Sequence, residues 1–266
     1  MGWLDRLRRP AAPEAELEPE AQMERALAAA RAGDYAMALD IWERLGRAGH
    51  GRAQNNIGAC FAEGMGGLER DPALAEKWLS LSADAGDPVG QRNLAALYFK
   101  GEGVAQDYAR AAELYRAAAE QGDGPAQDML SWMLLEGEVV ALDVAGARRW
   151  AQAAADQGIA SSMTRLGMLH HNALGVPRDA AEAARWWRLG AARGDADGQA
   201  MLGAAHHLGA GVPRDPEAAY EWLLRGHEGG SGLAAPFLDV VRGALSPEAR
   251  AEAERRARLP LPEAAP

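Results

Sequence analysis

Ala38, Ala75, Ala111, Ala147, Ala183 and Ala219 recur along the chain at intervals of 37, 36, 36, 36 and 36 residues. Eleven positions after each stands Gly49, Gly86, Gly122, Gly158, Gly194 or Gly230, and eight beyond each glycine comes Ile57, Leu94, Leu130, Leu166, Leu202 or Leu238. Three residue types locked in phase over two hundred positions require one supersecondary unit, copied and stacked so that each copy buries its apolar face against its neighbours. The 266 residues are therefore expected to form one elongated array, and function is to be sought on the surface of the stack.

Within each unit the pattern reads helix, turn, helix. Four positions after the aliphatic residue of the first helix stands Phe61, Tyr98, Leu134, His170 or His206, which places the pair one turn apart on an expected core face. Gly58, Ala95, Ser131, Gly167 and Gly203 lie between them; side chains this small let a second helix cross at about 8–10 Å. The second helix carries a stripe of its own, Ala75, Trp78 and Ser82, then Ala147, Trp150 and Ala154, Ala183, Trp186 and Gly190, and Ala219, Trp222 and Gly226, with the tryptophans read as core. Leu114 and Tyr115 share the aromatic slot in the unit of Ala111. Turns such as GEGVAQD (101–107), ALGVPRD (173–179) and GAGVPRD (209–215) stop the first helix on a glycine, and Asp71, Asp107, Asp143, Asp179 and Asp215 are placed to cap the second. Pro72 and Pro216 then fall at its first position.

Charge and composition exclude several classes. With 28 Lys and Arg against 38 Asp and Glu the net charge is -10, and the arginines alternate with carboxylates, which disfavours a nucleic-acid partner. A single cysteine, Cys60, permits no intramolecular disulfide and, beside Phe61 in a helix, reads as a buried inert thiol. No window approaches eighteen uninterrupted apolar residues and no leader hydrophobic run follows the first arginines, so no integral membrane segment is expected and a cytoplasmic protein is. Residues 1–18 are read as a flexible arm in which Trp3, Leu4 and Leu7 form a short apolar stripe. There is no HExxH, no phosphate-cradling glycine loop and no GxSxG elbow, so no catalytic residue and no cofactor is assigned. His170-His171 and His206-His207 occupy equivalent places 36 residues apart; without nearby cysteine or carboxylate ligands they are read as aromatic-like packing residues, and no metal site is assigned.

The segments AQNNIGACFAEG, GQRNLAALYFKGEGVAQDYARAAELYRAAAEQGD and SSMTRLGMLHHNALGVPRDAAEAARWWRLGAARGD resemble the Sel1-like repeat, a relative of the tetratricopeptide repeat. A dozen positions match in phase over five units, 51–230. The preceding stretch 19–50, with Ala28, Gly33, Asp34, Tyr35, Ala38 and Trp42, resembles a tetratricopeptide-like opening pair. After Gly230 the pattern degrades: Pro236 is read as an interruption, Ser246-Pro247-Glu248 starts a last polar helix, and 231–258 is a capping pair followed by a disordered tail, 259–266. The resemblance implies an all-α, right-handed α-solenoid of about fourteen helices in stacked antiparallel pairs, with the first helix of each pair lining the concave side.

The family's groove positions, carried onto this chain, give Ala59, Ala96, Trp132, Met168 and Ala204, and then Ala62, Phe99, Leu135, His171 and His207. Phe99, Trp132, Leu135 and Met168 are expected to form an apolar strip for a peptide or helix, with Arg92, Asp128 and Lys100 flanking it. The same units drift from the repeat: Val139 and Ala173 replace turn glycines, and Ile159 stands where Asp is usual. The resemblance implies a non-catalytic scaffold or adaptor, bacterial by its alanine- and arginine-rich composition, with a protein or peptide partner. A toxin-neutralising immunity protein is an alternative within the binding proteins, and a cell-wall-active (β-lactam) hydrolase is the alternative of another class. The secreted members discussed for that activity are disulfide-rich, unlike this chain.

Overall fold

A computed structural model describes residues 18–261. The arm with Trp3, Leu4 and Leu7, and the last five residues of the expected tail, lie outside the described residues. Everything described is helix or turn, with fourteen helices and no strand among the described residues. The chain divides into two compact units, one ending at Asp123 and one beginning at Gly124.

In the first unit α1 (Pro19–Arg31) and α2 (Tyr35–Arg47) form an opening pair, followed by α3 (Gly51–Glu63) with α4 (Pro72–Asp84) and α5 (Pro88–Lys100) with α6 (Tyr108–Glu120). The second unit holds α7 (Gly124–Glu136) with α8 (Val144–Asp156), α9 (Ala160–Asn172) with α10 (Ala180–Ala192), and α11 (Ala196–Leu208) with α12 (Pro216–Glu228). It ends in α13 (Ala235–Gly243) and α14 (Pro247–Ala257). Odd-numbered helices up to α11 are first (A) helices of a repeat and even-numbered ones are second (B) helices.

The punctuation works as the residues predict. Asp71, Asp107, Asp143, Asp179 and Asp215 each accept a hydrogen bond from a backbone N–H in the first turn of their B helix, satisfying a donor the helix itself leaves open. Asp87 and Asp195 do the same for α5 and α11, through Gly90 and Gly198. Ile159, at the equivalent place before α9, offers no side-chain acceptor. Pro236 starts α13 instead of interrupting a longer helix, because proline fits the first turn, where its missing N–H costs nothing. Ser246 caps α14 through the Ala249 N–H at 3.2 Å.

The core face of the A helices is as expected: Ile57, Leu94, Leu130, Leu166 and Leu202 are buried. The small residues beside them set a close crossing. A Cβ on Gly58 would stand 2.7 Å from Leu79, one on Gly203 2.8 Å from Leu223, and one on Gly167 2.5 Å from the Trp187 ring. At the equivalent site Ser131 donates to the Ala147 carbonyl at 2.8 Å.

The B-helix register is corrected by one residue. The sealed position after each phase alanine is Leu79, Tyr115, Ala151, Trp187 or Leu223, whereas Trp78, Trp150, Trp186 and Trp222 are half-buried. At about 100° per residue, a position four on lies about 40° from the alanine's direction and one three on about 60° to the other side, so the later one meets the A helix squarely. The tryptophans instead pack at the edges of the core clusters: Trp78 lies against Gly46 of α2, Trp186 against the cluster of Ala151 and Leu166, and Trp222 against that of Ala183 and Leu202. Arg185 and Arg149 lie over the Trp186 and Trp150 rings at 4.3 and 5.1 Å. Tyr98, His170 and His206, expected on the core face, are only half-buried. They sit near the end of their A helices, where Tyr98 donates to Glu76 at 2.7 Å and the His206 Nδ1 lies 3.3 Å from the Pro213 carbonyl oxygen.

Candidate functional site

The A helices of each unit form a wall whose outward register is 59, 96, 132, 168, 204 and, one turn on, 62, 99, 135, 171, 207. In the first unit this register is mostly alanine and encloses a hollow of about 250 Å³ between α3 and α5. Ala59, Ala62 and Ala96 line it, with Asn93 at the side and Glu63 and Lys100 at its edge. Arg70 spans the rim, donating to the Ala62 carbonyl at 2.9 Å and to Glu102 at 2.7 Å. Asn93 donates to Asn55 at 2.8 Å and Asn55 to Asn56 at 3.2 Å, a run of carboxamides across the wall. Phe99 turns its ring edge-to-face toward Tyr108, centroids 5.2 Å apart.

In the second unit the same register is bulky on α7 and α9, whereas Ala204 on α11 is a buried alanine. Trp132 on α7 and Leu135 beside it are half-buried, and Met168 on α9 is 37% exposed. His171 tilts against Trp187 with centroids 5.4 Å apart, and His207 meets Phe237 at 6.0 Å. Leu208, one residue further along α11, is 64% exposed. The wall thus offers thioether, aliphatic and indole surface, with each imidazole held in place by an aromatic neighbour.

Two charges expected to flank the strip are spent on holding repeats together. Arg92 forms a two-pronged ion pair with Asp123, at 2.8 and 3.1 Å. Asp128 gathers Arg165 at 2.6 Å and the Ser161 hydroxyl at 2.9 Å, together with Ser162. Sequence reasoning passed over the carboxamides of this layer. Gln54 and Gln199 donate to the carbonyls of Gly46 and Ala191 at the end of the preceding B helix, while Gln91 pairs with Gln121 and Gln127 with Gln157. The signal was present in the recurrence of Gln54, Gln91, Gln127 and Gln199 at one phase of the repeat.

Cys60 is 1% exposed, and burial pushes its thiol up to about 11, which leaves it protonated and unreactive near neutrality. Among the described residues no three of His, Cys, Asp and Glu come together to hold a metal ion. None of the described helices is long and apolar enough to cross a membrane.

Stacked helix pairs with side chains displayed along one wall define the α-solenoid class of repeat proteins. The Sel1 repeat model matches residues 51–87, 88–123, 124–159, 160–195 and 196–231, and the chain belongs to the Sel1-repeat family. Among solved structures it is similar to a Sel1 repeat protein from Oxalobacter formigenes, at 30% identity and a TM-score of 0.75 over 89% of this chain and 98% of that one. It is also similar to a protective antigen of uropathogenic Escherichia coli strains displaying an SLR fold, at 30% identity and a TM-score of 0.75, over 90% of this chain. The match spans about half, 53%, of that antigen. Comparison with curated protein sequences returned no match. Sel1 repeats generally mediate protein–protein contacts, and the fold is typically a non-catalytic scaffold.

Proposed function

We propose that the chain is an adaptor that holds a segment of a partner protein against the A-helix wall of its second unit. The observation that supports this reading is a change of side chains along one register: Ala59, Ala62 and Ala96 beside Phe99 in the first unit, and Trp132, Leu135 and Met168 in the second, with Leu208 exposed at the end of α11. Aromatic and Met side chains supply large contact area that adapts to a guest. Glu136 and Glu138 at the end of α7 favour a guest with basic residues beside its apolar ones, and the net charge of -10 steers such a segment inward. A toxin-neutralising role would use the same wall, and the identity of the captured protein decides between it and a general adaptor.

The test places a photo-crosslinking residue at Met168, or at Gln152 on the B-helix side, and compares what each captures in the native cell. A partner captured from 168 and not from 152, and lost from a Trp132→Ala, Met168→Ala background whose melting temperature is unchanged, supports the reading. Equal capture from both positions overturns it, as does turnover of a chromogenic β-lactam by the pure protein.

A further inference from the structure

A second hollow, independent of the A-helix wall, lies on the B-helix side of the second unit. It is an open depression of about 560 Å³ lined by Arg148, Arg149, Gln152 and Asp156 of α8 and by Leu166 and His170 of α9. A space of this size suits a small organic molecule better than a bare ion.

Its arginines differ from some on the B helices that precede and follow α8 in the sequence. Arg110 and Arg185 there pair with Glu113 and Glu182, three residues away, at 2.8 and 2.6 Å, while Arg116 and Arg188 form no ion pair among the described residues. Arg148 and Arg149 have no such neighbour: three and four residues to either side stand Val144, Ala145, Gly146, Ala151, Gln152 and Ala153. Neither forms an ion pair among the described residues, and Arg149 rests beside the Trp150 ring at 5.1 Å. Two adjacent guanidinium groups are left uncompensated in a chain whose net charge is -10. The one carboxylate lining the hollow, Asp156, accepts from Gln152 at 2.8 Å.

We propose that this hollow binds a phosphomonoester that carries hydroxyl groups, a sugar phosphate in chemical class. The phosphoryl oxygens accept from the forked donors of Arg148 and Arg149, the geometry in which guanidinium recognises phosphate. Asp156 repels a bare oxyanion, but with Gln152 it accepts from and donates to hydroxyls of the ligand body, so phosphate without that body binds less well.

The experiment is calorimetric titration of the full chain at low salt with ribose 5-phosphate, inorganic phosphate and ribose in separate arms. Ribose 5-phosphate is expected to bind, inorganic phosphate about tenfold or more weaker, and ribose not at all, a spacing of about 1.4 kcal/mol per tenfold. Arg148→Gln with Arg149→Gln is expected to weaken ribose 5-phosphate by about tenfold or more, whereas Arg110→Gln leaves it unchanged. Asp156→Asn is expected to strengthen inorganic phosphate and so narrow the gap between the two ligands. Both arginines are exposed, so the double variant should keep the wild-type circular dichroism; Arg148→Lys, which keeps the charge and loses the fork, should weaken binding too. No heat with ribose 5-phosphate up to about 10 mM, the millimolar range being the weakest affinity of use, overturns the proposal. So does binding that survives the double substitution, or equal affinity for inorganic phosphate.

Discussion

Ala173 closes α9 with φ at 56°, the only non-glycine residue in the left-handed region among those described. A Cβ there costs about 1–2 kcal/mol and glycine's extra unfolded freedom returns part of it, so Ala173→Gly should raise the unfolding free energy in urea by about 0.5–1 kcal/mol. Gly167→Ala should lower it by about 1–3 kcal/mol, since the new methyl meets the Trp187 ring and the Ala183 carbonyl at a packed crossing. Burial holds the Cys60 thiol protonated up to about 11 against an ordinary value of 9.0, and the Tyr115 phenol up to about 12 against 10.0. Both folded values lie above the unfolded ones, so the stabilisation is complete below about pH 9 and is lost as pH rises toward 12. Denaturation midpoints followed from pH 8 to 11 should fall, and less steeply in Cys60→Ala, with its own pH 8 midpoint as reference. The strain at 173 was legible from the loops aligned on the repeat. Val139, which replaces the glycine two positions further into the turn (Gly103, Gly175 and Gly211 in the other repeats), is no left-handed residue: a missing glycine says that the turn differs without saying how. The tryptophan register was not legible either, because positions three and four after the phase alanine straddle the contact line, and an aromatic at either satisfies the same periodicity.

Helix ends were the most readable elements. Aspartate, proline and glycine act on backbone groups within a few residues of themselves, so their consequence is contained in the local string. Asp179 accepts from the Glu182 N–H at 2.9 Å, and Asp179→Ala should cost about 1 kcal/mol in thermal unfolding, a typical cap loss. An equal change at Ile159, which caps nothing with its side chain, should not show that loss. The cross-repeat bonds were closed to sequence reading. Arg52 to Asp87, Arg92 to Asp123 and Thr164 to Asp195 join residues 31 to 35 apart, and which donor meets which acceptor depends on how adjacent A helices are offset. For the same reason the row formed by Trp132 and Met168 could be written down from register, while the partners of Arg92 and Asp128 could not. A contact of Leu259, the first residue of the expected tail, was equally closed to sequence reading. Leu259, in a segment expected to be disordered, accepts from Arg225 at 3.0 Å, and Arg256 accepts from the same guanidinium.

At the level of the array, each repeat rests on its nearest neighbours, and that predicts how damage spreads. Leu130 and Leu202 are buried in the second unit with a whole repeat between them. Leu→Ala at either should cost about 2–5 kcal/mol by lost transfer energy and cavity, and the double variant should lose the sum to within about 0.5 kcal/mol. A coupling well beyond that, measured by chemical denaturation, would mean that strain passes through the intervening pair. The Trp78 indole, one place before the sealed Leu79, reaches back against Gly46 of the preceding helix pair. That contact gives the first unit a grain. Deleting α1 and α2 strips the seat from Trp78 and should expose it to a fluorescence quencher, whereas removing α13 and α14 leaves that indole covered.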